Sequence, residues 1–364
     1  MGTIERFQER VRAAARERQP LCIRGGGSKD WYGGAHDTPP GAILDTRDYA
    51  GIVDYEPTEL VITARCGTPL AEVEALLARH NQMLAFEPPH FAATATVGGT
   101  VAAGLCGPRR ASSGATRDFV LGARLLDGKG DVLSFGGKVM KNVAGYDVSR
   151  MLAGSMGTLG LLLEVSLKVL PRPFAEATLR FEMSEIDAIR RLNEWGGQPL
   201  PLSGSAWCGG QLALRLSGAE AAVDAAMRLL GGEAVPHPDA AAFWADVREQ
   251  RHAYFSDVRA NATPLWRLSV PSTTGALVLG GDQLIEWGGA QRWLRADGDA
   301  ATAQAIRRTV QACGGHATLF RGGDKSSGVF QPLAPALARI HARMKDAFDP
   351  AHIFNPGRLY PESA

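Results

Sequence analysis

Cysteine is scarce in this chain, and none of it is paired in sequence. Cys22, Cys66, Cys106, Cys208 and Cys313 are odd in number, scattered, and never form a C-x-x-C unit. That excludes an iron–sulfur cluster held by this chain alone and suits free thiols in a reducing compartment. Long apolar runs are also missing. The longest, around residues 159–170, is interrupted by Glu164 and Lys168 and cannot span a bilayer. Residues 1–19 have no apolar signal-peptide core, and Arg6 stands where a myristoylation signal needs Ser or Thr. A cytoplasmic chain is expected. Charge of one sign is absent too: 39 basic side chains face 38 acidic ones, for a net charge of +1. Neither nucleic acid nor an acidic membrane surface is therefore expected as a partner. The common nucleotide loops fail on spacing. A G-x-G-x-x-G fitted to Gly25 and Gly27 needs glycine where Asp30 stands, which argues against NAD. A P-loop fitted to Gly128-Lys129 needs glycine at Ala123 and Ser or Thr at Gly130, which argues against ATP.

What the chain does have is glycine, 43 residues of it, in a sequence long enough for two domains. The stretch at residues 141–171 organises the rest. A polar turn at residues 142–147 leads to a helical apolar set, Val148, Met151 and Leu152. The loop Gly154-Ser155-Met156-Gly157-Thr158-Leu159-Gly160 follows. Leu163, Val165, Leu167 and Val169 then alternate with Glu164, Ser166 and Lys168, the period of a strand with one buried face, stopped by Pro171 and Pro173. Glycines three apart allow positive φ and close approach of a ligand to the backbone. By itself the pattern fits either a phosphate-binding loop or a plain helix-to-strand connection.

Two more glycine loops lie upstream. Residues 20–28 read PLCIRGGGS, a short strand running into Arg24, Gly25, Gly26, Gly27 and Ser28. Residues 93–104 read ATATVGGTVAAG, with Ala95, Thr96, Val97, Gly98 and Gly99 at the turn, and Ser113 and Gly114 follow. A helix is expected over residues 4–18 with Phe7, Val11 and Ala14 or Ala15 on one face, a second from Thr68 through His80, and a hairpin turned by residues 127–130. Arg117-Asp118 reads as a structural ion pair rather than a catalytic one. In order and spacing the three loops, with the C-terminal DPAHIFNPGRL of residues 349–359, resemble the FAD-binding domain of the vanillyl-alcohol oxidase family, also called the PCMH type. The resemblance covers roughly residues 18–173 and 335–360.

The resemblance implies an α+β protein: a PCMH-type two-subdomain FAD-binding domain at 1–173, an α+β cap with an antiparallel sheet at 174–334, and a C-terminal segment at 335–364 that returns to the FAD domain. It implies FAD held by the loops named above, with Ser155, Gly157, Thr158, Leu159, Gly160, Val165 and Asn355. Family members that attach FAD covalently often carry histidine near the first loop. Ser28 and Lys29 stand there in this chain, so non-covalent FAD is expected. The implied chemistry is oxidation of glycolate or a similar small 2-hydroxy acid, glycolate giving glyoxylate. It would occur in a complex with a larger FAD catalytic subunit and an iron–sulfur subunit, peripheral to the inner membrane at most.

Beyond Pro173 the glycine loops stop and strands mix with helices, an arrangement read as one antiparallel sheet with helices on one side. Residues 276–280 read as one further element of that alternation. Trp195, Trp207, Trp244, Trp266, Trp287 and Trp293 all fall here and read as core or interface anchors. A last amphipathic helix at residues 335–348 is expected to turn Leu337, Ile340, Met344 and Phe348 inward. Catalytic relatives carry a histidine pair near the cap's end. Residues 315–324 here hold only His316, so no catalytic residue is assigned and no metal site is expected. A flavin-bearing assembly or electron-relay subunit without turnover of its own is the alternative.

Overall fold

The computed structural model describes residues 2–34, 41–137, 147–260 and 263–360. The polar turn expected at residues 142–147 lies outside them, apart from Asp147. Contacts divide the chain into two compact units. The first combines Met1–Leu105, Ala115–Pro171 and Pro332–Ala364; the second combines Cys106–Gly114 and Arg172–Gln331.

The first unit contains a parallel pair, β1 (Leu21–Arg24) and β2 (Ala42–Asp45). Further along lie β3 (Ile52–Glu56), β4 (Val61–Arg65), β5 (Gln82–Met83), β6 (Val120–Leu126), β7 (Val132–Gly136), β8 (Leu161–Lys168) and β9 (Leu170–Pro171). Five of these form an antiparallel sheet in the order β3-β4-β8-β6-β7, while β5 pairs with β9. The alternating leucines and valines of residues 161–168 thus become the middle strand, with Leu163 and Val165 fully buried. Its polar face is covered as well. Glu164 accepts from the Tyr49 hydroxyl and from Arg124, each at 2.8 Å, and the hydroxyls of Ser166 and Thr63 share a hydrogen bond of 2.8 Å. Buried carboxylates and hydroxyls persist only with such partners. Burial and the neighbouring Glu164 carboxylate push the Tyr49 phenol up to about 12, so it remains a donor at neutral pH.

The Thr3–Glu17 helix buries Phe7, Val11 and Ala14, and the Leu70–Arg79 helix buries Leu70, Val73 and Leu77. The last helix, Pro335–Phe348, departs from expectation. None of its residues is buried, and Leu337 and Ile340 are about half exposed, at 50% and 52%. Its anchors include Phe348, which meets the ring of Phe135 at 6.1 Å, and His341, whose ring lies 5.8 Å from that of Tyr360. An apolar stripe specifies which face can be buried, not that something buries it. Arg117 and Asp118 also differ from the reading: they do not pair. Asp118 accepts the Ala115 amide at 2.8 Å, closing the start of a one-turn helix.

In the second unit an eight-stranded antiparallel sheet is built from β10 (Ala175–Glu182), β11 (Leu202–Cys208), β12 (Gln211–Gly218), β13 (Glu233–Val235), β14 (Leu265–Ser269), β15 (Gln283–Glu286), β16 (Gln291–Arg295) and β17 (His316–Arg321). Their order is β13-β10-β12-β11-β15-β16-β14-β17. On one face, Leu212 and Leu214 meet the Glu185–Gly196 helix, Leu216 meets Glu220–Leu230, and Trp266 and Leu294 meet Ala300–Ala312. The His237–Arg248 helix takes the other face, where Trp244 and Val247 pack on Ala206 and Ala213. The helices are therefore not confined to one side. Residues 276–280 form no regular element; the strand of this region is β15, a few residues later.

The segment Cys106–Gly114 joins this second unit through side chains. Arg109 pairs with Glu176 at 2.7 Å, and Trp287 donates its indole N–H to the Gly107 carbonyl at 3.1 Å. The guanidinium of Arg110 lies 4.4 Å from the Trp287 ring centre and that of Arg267 lies 5.4 Å away. Each such stack contributes on the order of 1 kcal/mol.

Asp349, wholly buried, closes the C-terminal turn of the first unit. It accepts from the amides of Ile353 (3.1 Å) and Phe354 (2.8 Å) and from Lys345 Nζ (2.7 Å). Replacing Asp349 by Ala strands two amides and a half-neutralised ammonium. The expected loss of stability is about 3 kcal/mol, read as a fall in the denaturant midpoint of the first unit. A change below about 1 kcal/mol would show that the turn holds without its carboxylate.

Candidate cofactor site

Glycine at three places lets three loops of the first unit close on one another. After β1 the chain runs through Arg24 to Ser28. A Cβ on Gly26 would sit 1.5 Å from the Thr94 carbonyl oxygen, and one on Gly25 would sit 2.4 Å from Thr96 Oγ1. The Thr94 hydroxyl donates to the Gly26 carbonyl at 2.7 Å. The first loop is thus pressed backbone-to-backbone onto the second. Thr94 carried no sequence signal beyond lying beside the ATVGG motif.

The second loop spends most of its amides within the protein. The amide of Val97 donates to the Thr68 carbonyl, that of Gly98 to the Cys66 carbonyl, and that of Gly99 to Thr96 Oγ1, which caps the short Val97–Ala103 helix. Ala95 accepts the Leu70 amide. That helix in turn receives the third loop: Gly154 N–H donates to Val101 and Met156 N–H to Ala102. Beside these contacts, Thr100 Oγ1 is buried and has no partner among the described residues.

In the third loop, Ser155 accepts from both the amide and the hydroxyl of Thr158. Gly157 has φ +72°, and a Cβ there would lie 2.6 Å from Asn355 Nδ2. Leu159 is buried, and Gly160, at φ +150°, lies where a Cβ would meet the Leu126 carbonyl at 2.6 Å. Val165 is wholly buried in the sheet, opposite Ala64 and Ala123.

Asn355 joins the pieces. Its Nδ2 donates to the Met156 carbonyl at 2.7 Å, and its Oδ1 accepts the Ile23 amide at 2.8 Å. Its own amide donates to the Leu21 carbonyl. Lys345 adds a link from its helix to the Thr158 carbonyl at 2.9 Å. Lys345 was missed in the sequence, although its place one helical turn before Asp349 was a usable signal. Arg358 donates to the Lys29 carbonyl at 3.0 Å, which brings a second cation to the first loop. Burial holds the Arg358 guanidinium below its usual range while leaving it charged. Ser113 and Gly114 belong to the second unit, where the Ser113 hydroxyl and the Gly114 amide bond to the Arg109 and Arg110 carbonyls.

Of the three loops, the first keeps the longest run of unbonded donors; Thr96 in the second and Gly157, Leu159 and Gly160 in the third also have amides without a protein acceptor among the described residues. Among the described residues the amides of Gly25, Gly26, Gly27 and Ser28, all half-buried, have no protein acceptor. Successive unbonded N–H groups flanked by Lys29 and Arg358 form an anion-binding concavity.

Residues 1–136 match a protein-family model described as an FAD binding domain. The chain is 49% identical to the glycolate oxidase subunit GlcE of Escherichia coli (strain K12), over 97% of this chain and 96% of that one. This chain belongs to the GlcE family of glycolate oxidase subunits. It is also similar to the glycolate oxidase subunit GlcD of Bacillus subtilis, 33% identical over 47% of this chain and 36% of that one. A D-lactate dehydrogenase of Archaeoglobus fulgidus is 31% identical over 50% of this chain and 41% of its own length. Among solved structures, alkyldihydroxyacetonephosphate synthase shares the fold, with a TM-score of 0.63 over 99% of this chain and 76% of that one, at 14% identity.

FAD is therefore the cofactor of this GlcE-family chain, within a family of FAD-dependent oxidoreductases. The residues present fit it: four open amides and two cations suit a diphosphate, which needs donors more than it needs a particular side chain. Gly157→Val is expected to give soluble protein with little FAD, because the side chain strains a left-handed backbone and displaces Asn355 from its bonds to β1 and the third loop. The ratio of flavin to protein absorbance checks this. Stoichiometric FAD in the variant would mean that the third loop is a connector only.

Proposed function

We propose that this chain is the FAD-bearing subunit of a heteromeric complex that oxidises glycolate, or a similarly small 2-hydroxy acid, glycolate giving glyoxylate. The observation that carries the reading is 49% identity, over nearly the whole of both chains, to a protein named as a subunit of glycolate oxidase. FAD, when bound, supplies the two-electron acceptor. The chain's own part is to hold and orient it. The amides of residues 25–28 donate to the diphosphate, with Lys29 and Arg358 adding positive charge. Ala95 to Gly99, Ser155 to Gly160 and Asn355 set the loop shapes that keep those amides in a row. Val165 belongs to the proposed set from within the sheet, and Ser113 and Gly114 are the members of that set that lie in the second unit.

The partners in this reading are a larger FAD subunit that bears the catalytic site and an iron–sulfur subunit. The cysteine spacing supports it, since electrons reaching this flavin have no cluster in this chain to leave by. Among the described residues no helix is long and apolar enough to cross a membrane, and no group of three or more His, Cys, Asp or Glu could hold a metal. Five free thiols favour a cytoplasmic setting, with any membrane association made through the complex. A second reading, an electron-relay or assembly subunit without turnover, is favoured by the single His316 where catalytic relatives carry a pair.

Two outcomes are expected. Acid precipitation leaves yellow FAD in the supernatant, because Ser28 and Lys29 offer no attachment histidine; a coloured pellet overturns non-covalent binding. The purified chain alone shows negligible glycolate-dependent dye reduction, and activity appears on co-expression with GlcD- and GlcF-type subunits. Turnover by the chain alone at the rate of the complex would return the active site to its second unit.

A further inference from the structure

The second unit holds a cavity of its own, of about 280 Å³, at the hairpin end where β11 runs through Gly209 into β12. Its floor is the sheet face covered by the His237–Arg248 helix, and Thr178, Arg180, Gln211 and His252 supply its polar groups. No residue of the Cys106–Gly114 segment lines the cavity.

The polar lining offers donors. Arg180 is half-buried and makes no ion pair or hydrogen bond among the described residues through its side chain. Across the β10–β13 pair Glu233 stands directly opposite it, and Glu182 lies two residues on along β10. Both are exposed and neither pairs with Arg180. His252 Nδ1 accepts the Tyr254 amide at 3.2 Å, which leaves the ring proton on Nε2. The nearest charge on that ring's own side is Asp246, already paired with Arg251 at 2.8 Å, and burial favours the neutral imidazole. Thr178 Oγ1 accepts the Trp244 indole N–H at 2.9 Å, so its own hydrogen is available to a ligand. No carboxylate lines the cavity, and Val235, Phe243 and Leu284 give it an apolar wall. A guanidinium and two further donors facing an apolar wall recognise an anion with a hydrocarbon body.

We infer that this cavity is a second binding site, for a small organic carboxylate whose apolar body is larger than a two-carbon acid. The carboxylate takes the donors of Arg180 and His252, and the body lies against Val235, Phe243 and Leu284. The inference is independent of the flavin loops and of glycolate chemistry, and it stands or falls on binding alone.

Benzoate, which has the charge and the body in the right proportion, is the probe. It is titrated into the full-length, flavin-loaded chain labelled with ¹⁵N-tryptophan. The Trp244 indole resonance, one bond from Thr178, should shift saturably while the flavin absorption band stays still. Arg180→Gln should weaken benzoate roughly tenfold or more, and neutral benzamide should bind the wild-type chain about as poorly. Val235→Trp, which fills the cavity and keeps every donor, should abolish the shift by a separate route. No Trp244 shift at millimolar benzoate overturns the proposal. So does a shift undiminished in both variants, or one that moves together with the flavin band.

Discussion

One carboxamide holds the cofactor half of this molecule together. Asn355 accepts the Ile23 amide and donates to the Met156 carbonyl, so the strand before the first loop and the turn of the third are fixed by a single side chain. The residue reaches this place at φ +41°, a conformation Asn tolerates better than most. Gly157 must be glycine because Asn355 fills the space its Cβ would need. The contact to Ile23 spans 332 positions of sequence, so the loop geometry is complete only when the C-terminal segment has docked. Asp349 and Lys345 prepare that docking from the preceding helix, one by holding two amides of the turn and the other by reaching the Thr158 carbonyl.

Around this tie the three glycine loops divide their work. The second spends its amides on Thr68, Cys66 and Thr96, and so serves as the surface against which the others are shaped. The third gives two amides to the Val97–Ala103 helix. Among the described residues of the three loops, the first keeps the longest run of donors in reserve, and cations stand beside it. A half-buried amide without an acceptor costs free energy until a ligand supplies one. The concavity is in that sense built for an anion.

The second unit is pinned differently, by charged groups inside an aromatic-rich sheet. Arg292 is wholly buried and gives its donors to the carbonyls of Gly289, Gly275 and Thr274. Glu286 accepts from the indole of Trp293 and from Gln291. Arg215 bonds to Ser203 and stacks on Trp244 at 4.9 Å. Such groups are costly to bury and tolerable only when satisfied, so they restrict the sheet to one arrangement. The same rule makes Arg180, at the edge of the cavity, stand out.

Much of the fold was legible in the residues because the relevant physics is local. Alternation through Leu163, Val165 and Leu167 specifies a strand whatever surrounds it, and the spacing of Phe7, Val11 and Ala14 specifies a helix. Runs of glycine declare backbone freedom, which is a property of the residue itself. What those runs do with their hydrogen bonds is not. That the amides of residues 25–28 stay open while those of residues 97–99 are spent depends on partners far along the chain. The same holds for the Leu337 and Ile340 stripe that is left half exposed, and for Asp118, which caps Ala115 instead of pairing with Arg117. It holds also for Cys106–Gly114, claimed by the second unit through Glu176 and Trp287. The sequence by itself determined the elements and where the backbone could bend or admit a ligand. Tertiary structure alone decided which donors remain for that ligand, because satisfaction of a polar group is settled by its neighbours in space.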